Sequence, residues 1–182
     1  TPNRPDAFSH QGVARDIACK MNRPFRSLSV DSVKGNDNQS LAINIENSDD
    51  CPRYIGGIIK NIMVGPSPDW MVEKLKSYNF KIIEQKGKQL AYDGKELVYR
   101  NIIGRFGLNK KKRIMLSAHW DTRPWADQDV ERRDEPIDGA NDAGSGVAVI
   151  LEVARLLNQE SPNIGVDVVL FDIEDYGKSN ET

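Results

Sequence analysis

Along the chain the spacing of apolar residues changes character near residue 66. Before that point polar and turn-forming residues crowd together, as in Val33 to Ser40 and Asn47 to Pro52, and little regular structure is expected. Leu41 to Ile45 reads as a short strand, and Tyr54 to Val64 as either a strand or a buried helical turn, because periodicity does not separate the two. Residues 1–66 are therefore read as a polar N-terminal extension and 67–182 as the ordered domain.

After Pro66 the pattern sharpens. Ser67-Pro68-Asp69 offers an N-cap and a first-turn proline, and Trp70, Met71, Leu75 and Phe80 follow at roughly helical spacing, which predicts an amphipathic helix over Trp70 to Tyr78. Three strand-like runs come next: Lys81 to Gln85, Leu97 to Phe106 and Arg113 to His119, separated by Asp93-Gly94 and by Leu108 to Lys112. The last run is nearly all apolar, which predicts a central strand buried on both faces. The lysines before it read as a solvated turn.

A long polar loop from Trp120 to Asn141 feeds a helix in which Val147, Ile150, Leu151, Ala154 and Leu157 share one face. Ser161-Pro162-Asn163 ends it, and Val166 to Phe171 reads as another core strand. Strand, helix and strand in this order form a right-handed βαβ unit of an α/β sheet. Ligands of such sheets bind beyond the carboxyl ends of the strands.

Composition narrows the function classes. With 38% hydrophobic and 29% charged residues over 182 positions, the chain can bury a core while its surface stays hydrated. A net charge of -2 gives no general attraction to phosphate backbones, so nucleic acid is not an expected partner. No stretch approaches the roughly 20 apolar residues of a membrane span. Cys19 and Cys51 have no zinc-knuckle spacing and either pair once or stay free. No leader sequence is visible, but the chain begins at Thr1, so this says little about compartment. The sequons at Asn38 and Asn180 are given no weight.

The chemistry gathers at the expected strand ends. His119 and Asp121 are two apart and share a face on extended backbone; Asp142 opens the second helix; Asp172, Glu174 and Asp175 leave the last strand. Each has an ordinary use: a His–Asp hydrogen bond, an N-cap, a solvated loop. Together they bring one imidazole and several carboxylates to one sheet edge, where like charges repel unless a cation or shared protons neutralise them. A metal is the simplest explanation. Imidazole with carboxylate favours zinc, with cobalt or manganese as substitutes in vitro. Of the adjacent pair, one carboxylate is suited to ligation and its neighbour to proton transfer.

Ser117 to Asp127, Gly139 to Gly146 and Phe171 to Gly177 resemble the three leading motifs of the zinc aminopeptidase and glutaminyl cyclase clan. The His-Trp-Asp-Thr-Arg-Pro-Trp-Ala-Asp stretch and the Glu-Asp-Tyr-Gly ending are most similar to bacterial glutaminyl cyclases of the animal type. The resemblance runs from about Asp69 to Gly177. It implies a three-layer α/β/α fold with a central mixed, mostly parallel sheet, incomplete at its C-terminal side. It makes Asp142 and Asp175 ligands of a catalytic zinc and Glu174 the general acid/base. His119 becomes a ligand only if two metals bind, as in the aminopeptidases. Asp175 stands where those enzymes usually have Glu, which leans the reading toward cyclases.

The resemblance also implies a further aspartate and a zinc-binding histidine beyond Thr182, so the chain reads as an N-terminal fragment, inactive alone. Asp121 is expected to support the site, and Trp125 either walls an apolar pocket or packs in the ordinary way. The implied activity is conversion of a peptide's N-terminal Gln to pyroglutamate with release of ammonia, in the periplasm or secreted. The alternatives are a zinc aminopeptidase and an inactive homologue acting as a binding domain.

Overall fold

The structure is a computed structural model and describes residues 4, 9–27, 40–61 and 67–177. Contacts divide the chain into two compact units, Thr1–Ile62 and Met63–Thr182.

The first unit holds one helix that the sequence pattern did not suggest, α1 (His10–Lys20). The Ser9 hydroxyl accepts the Gly12 backbone N–H, and Lys20 lies in the last turn, where a cation favours the helix dipole. Val13 and Ile17 are its apolar stripe, and both remain exposed. The strand expected at Leu41 to Ile45 is absent, and residues 54–61 of the second expected run have no regular structure. A strand needs a partner for its backbone groups; the Leu41 and Ile43 side chains reach Gly56, but no backbone hydrogen bond joins the two segments among the described residues. Their side chains are correspondingly open, Ile59 at 81% exposure. Asn47 instead organises a turn, its side-chain oxygen accepting the N–H groups of Asp49 and Asp50. Cys19 and Cys51 are free thiols. Val33 to Gln39, residues 62–64 and Asn180 to Thr182 lie outside the described residues.

In the second unit, α2 (Pro68–Ser77) starts on Pro68 as the sequence predicts, although Ser67 makes no side-chain cap. It buries Met71, Val72 and Leu75; Trp70, expected in the core, is half exposed. Asn79 ends the helix at φ +63, and the Phe80 N–H returns to the Leu75 carbonyl, which drives the Phe80 ring into the core. Strands β1 (Lys81–Leu90) and β2 (Glu96–Phe106) form an antiparallel hairpin around Asp93-Gly94, with Gly94 at φ +82. Next come β3 (Arg113–His119), α3 (Gly144–Gln159) and β4 (Gly165–Phe171).

The sheet order is β1-β2-β4-β3. The sheet is mixed, as expected, but among the described strands only β3/β4 is parallel while β1/β2 and β2/β4 are antiparallel. The inner strands are β2 and β4, and Val166, Val168 and Leu170 of β4 are fully buried. Among the described strands β3 has a neighbour on one side only, β4, and its Ile114 and Met115 are exposed.

Helices α2 and α3 pack on each other and on one face of the sheet, so the described residues form two layers rather than three. Between them lies a single cluster: Leu75 and Met71 of α2, Val147, Ile150 and Ala154 of α3, and Ile102, Phe106, Val166, Val168 and Leu170 of the sheet. Gly104 on β2 is required by this packing, because an added Cβ would lie 3.1 Å from the Phe80 ring.

Candidate metal centre

Parallel β3 and β4 end side by side, with His119 opposite Phe171 and the Trp120 N–H bonded to the Phe171 carbonyl at 2.8 Å. Residues leaving the two strands therefore share one edge of the sheet, where the sequence places the chemistry. The loop after β3 returns to this edge before α3. Gly139, at φ +65, lies so close to Thr122 that any Cβ would collide with it, and the Gly144 N–H closes on the Gly139 carbonyl. Asp142 consequently stands beside His119. It does not cap α3, whose N-cap is Ala143.

Beyond β4 the chain is pinned by Asp172, which accepts the Arg100 N–H on its carboxylate while its own N–H donates to Asn101. Ile173 then takes φ +56, a conformation that a β-branched residue adopts only when its surroundings impose it. The bend directs Glu174 and Asp175 differently: Glu174 is largely exposed, while Asp175 is 9% exposed and its N–H donates to Asp121.

His119, Asp142 and Asp175 each present a ligand atom within 4.8 Å of the others. His119 Nε2 lies 2.7 Å from Asp142 Oδ1, and its Nδ1 faces Asp121 at 3.4 Å and Glu174 at 3.6 Å. Burial pulls the His119 imidazole down, but the Asp142 hydrogen bond and the charges of Glu174, Asp121 and Asp142 outweigh it, so its pKa is raised. Burial likewise pushes Asp172 up, against the N–H groups of Arg100 and Ile173. Among the described residues, His119 Nδ1, Asp121 Oδ1 and Asp175 Oδ2 are buried polar atoms with no hydrogen-bond partner. Orphaned buried acceptors are costly unless something else satisfies them. The carboxylate and imidazole donors, with orphaned atoms among them, fit a divalent cation of the zinc kind.

The structure thus gathers His119, Asp121, Asp142, Glu174 and Asp175 at one place. The Trp125 ring meets Tyr176 edge-on at 5.1 Å. A cleft adjoins the cluster. That cleft, about 440 Å³, is bordered by Arg123, Ala126, Asp127, Ile137, Asp142 and Asp175. Arg123 is the residue that sequence reasoning missed. Its Nε and Nη2 both donate to Asp175 Oδ1 at 3.1 Å, and its Nη1 donates to Asp127 at 3.3 Å. The Asp175 hydrogen bond and charge, followed by those of Asp127, raise its pKa despite burial.

Among solved structures, glutaminyl cyclase of Bacteroides thetaiotaomicron is 46% identical, with a TM-score of 0.60, over 63% of this chain and 40% of its own. A Zn-dependent exopeptidase from Parabacteroides distasonis is 44% identical, with a TM-score of 0.60, over the same shares of each chain. Curated relatives carry a different name, phenylalanine–tRNA ligase beta subunit. That of Fusobacterium nucleatum is 38% identical over 79 residues, 42% of this chain and 10% of the ligase. That of Synechocystis sp. is 26% identical over 201 residues, 100% of this chain and 24% of the ligase. The chain thus spans two fifths of these solved structures and at most a quarter of these ligases. The model of Peptidase family M28 matches residues 101–179, so the segment that builds the metal centre carries M28 sequence on the α/β sheet of bacterial zinc exopeptidases and glutaminyl cyclases.

Proposed function

We propose that the full-length protein is a zinc-dependent glutaminyl-peptide cyclotransferase. The observation that carries the reading is the convergence of Asp142 and Asp175 with His119, with Glu174 at its side. Asp142 and Asp175 would hold the zinc, which when bound would supply Lewis acidity toward the γ-carbonyl of an N-terminal glutamine. Glu174 accepts a proton from the peptide's α-amine as the new C–N bond closes the lactam ring. It returns that proton to the departing amide nitrogen as the old C–N bond breaks, so ammonia leaves. Asp121 orients the centre by accepting the Asp175 N–H and facing His119.

The rival reading is a zinc aminopeptidase, favoured by one observation: His119 lies within the same 4.8 Å cluster, as a two-metal site requires. Ammonia release from a Gln-peptide with little Leu-amide cleavage, and nearer one zinc than two per chain, is the expected result for the full-length protein. Rapid Leu-amide hydrolysis with two zinc ions would replace the cyclase with the peptidase. A third reading, a binding domain without catalysis, requires that neither substrate turn over. On the likeness to bacterial cyclases we place the protein in the periplasm or outside the cell; activity confined to the cytoplasmic fraction would refute that.

We propose that the ligase likeness lies largely before residue 101, where the M28 match begins. The 79-residue match takes 42% of this chain, more than Thr1–Ile62 holds, so it extends into the second unit. Compared separately, residues 1–100 should keep the ligase likeness and 101–182 should lose it. Retention by 101–182 would overturn the assignment and bring the ligase reading to bear on the site.

A further inference from the structure

We propose that Arg123 is a positioning residue of the metal centre, holding Asp175 by one carboxylate oxygen so that the other is presented to the metal. The inference rests on the zinc reading above and adds to it a residue outside the ligand set. Arginine meets a carboxylate most often fork to fork, two N–H groups on two oxygens. Here both Nε and Nη2 converge on Asp175 Oδ1, each at 3.1 Å, and Oδ2 is left buried with no hydrogen-bond partner. A guanidinium acting as a stand-in for the cation would take up both oxygens. This one takes one and leaves the other.

The rest of the geometry fixes that division. The Arg123 carbonyl accepts the Ile137 N–H at 3.1 Å, which anchors the loop at the arginine. Nη1 reaches Asp127 at 3.3 Å, which sets the plane of the fork. Asp175 is held from its backbone side as well, by donation to Asp121 at 3.0 Å. Arg123 restrains the Asp175 side chain and Asp121 its backbone, and a carboxylate oxygen of Asp175 lies in the cluster with His119 and Asp142. Lysine would keep the charge but has no planar fork with which to meet Asp175 and Asp127 together.

Two physical effects compete at this position, and they predict opposite signs. As a positive charge near the site, Arg123 repels a divalent ion, and its removal would tighten binding. As an orienting partner it pre-forms the site, and loss of such a partner typically weakens metal affinity about 10–100-fold. The geometry favours the second effect.

The test is zinc titration, by competition with a chromophoric chelator, of the full-length protein and its R123A, R123K and D175N variants, with metal-free thermal unfolding recorded for each. The expected result is zinc affinity about 10–100-fold weaker in R123A and intermediate in R123K, with metal-free unfolding of R123K close to wild type. Unchanged or tighter binding by R123A would overturn the proposal, as would wild-type affinity in R123K, which would reduce Arg123 to its charge. If D175N binds zinc as well as wild type does, the metal reading itself fails, and the proposal with it.

Discussion

Glu174 and Asp175 are neighbours in sequence with opposite environments, 61% and 9% exposed. The Ile173 bend separates them, leaving one carboxylate free to meet a substrate amine and burying the other among charged partners. Glu174→Gln in the full-length enzyme should therefore lower kcat by about 10²–10⁴ while zinc content stays unchanged. A parallel loss of zinc would make Glu174 a ligand instead. The acidic residues of the site were legible because strand ends in an α/β sheet are where such groups converge, and the motif resemblance named them individually. Arg123 was not legible. In a polar loop an arginine four residues before Asp127 reads as a solvated pair, and its principal partner, Asp175, is 52 positions away.

At the scale of elements, the interior of the second unit depends on how α2 meets β2. Leu75 is fully buried and sits over Gly104, where an added Cβ would lie within 3.6 Å of it. Leu75→Ala should cost about 2–5 kcal/mol, read as a lower urea midpoint, whereas Trp70→Ala should cost no more than about 0.5 kcal/mol because that ring is half exposed. Equal costs would mean that α2 is rotated from the orientation described. Helices α2 and α3 and all four strands of the second unit were legible from periodicity and turn residues. The lateral order β1-β2-β4-β3 was not, since it is set by long-range pairing, on which an apolar run is silent. Helix α1 escaped because its apolar stripe is only two residues long.

At the scale of the whole second unit, the end of the sheet opposite the metal centre is held by charge. Arg113 donates to both oxygens of Asp167, at 2.8 and 2.7 Å, and to the carbonyls of Phe106 and Gly107, tying β2, β3 and β4 together. The Arg113 hydrogen bond, opposed by burial and reinforced by Arg105, lowers the Asp167 pKa below its unfolded value. The resulting stability is present above the unfolded pKa and is lost as pH falls through the folded one. Arg105 is too exposed to contribute much. Asp167→Asn should cost about 1–3 kcal/mol at neutral pH and flatten the loss of stability below about pH 4. An unchanged acid limb of the stability profile would remove Asp167 from that role.

The proposed chemistry requires that the convergent carboxylates hold a metal. The most direct measurement is an anomalous difference map collected at the zinc edge from crystals of the full-length protein. A single peak is expected about 2.0–2.2 Å from oxygens of Asp142 and Asp175, with Arg123 still bonded to the other Asp175 oxygen. A map of zinc-soaked crystals with no peak at these carboxylates, or with its peak elsewhere on the chain, would contradict it.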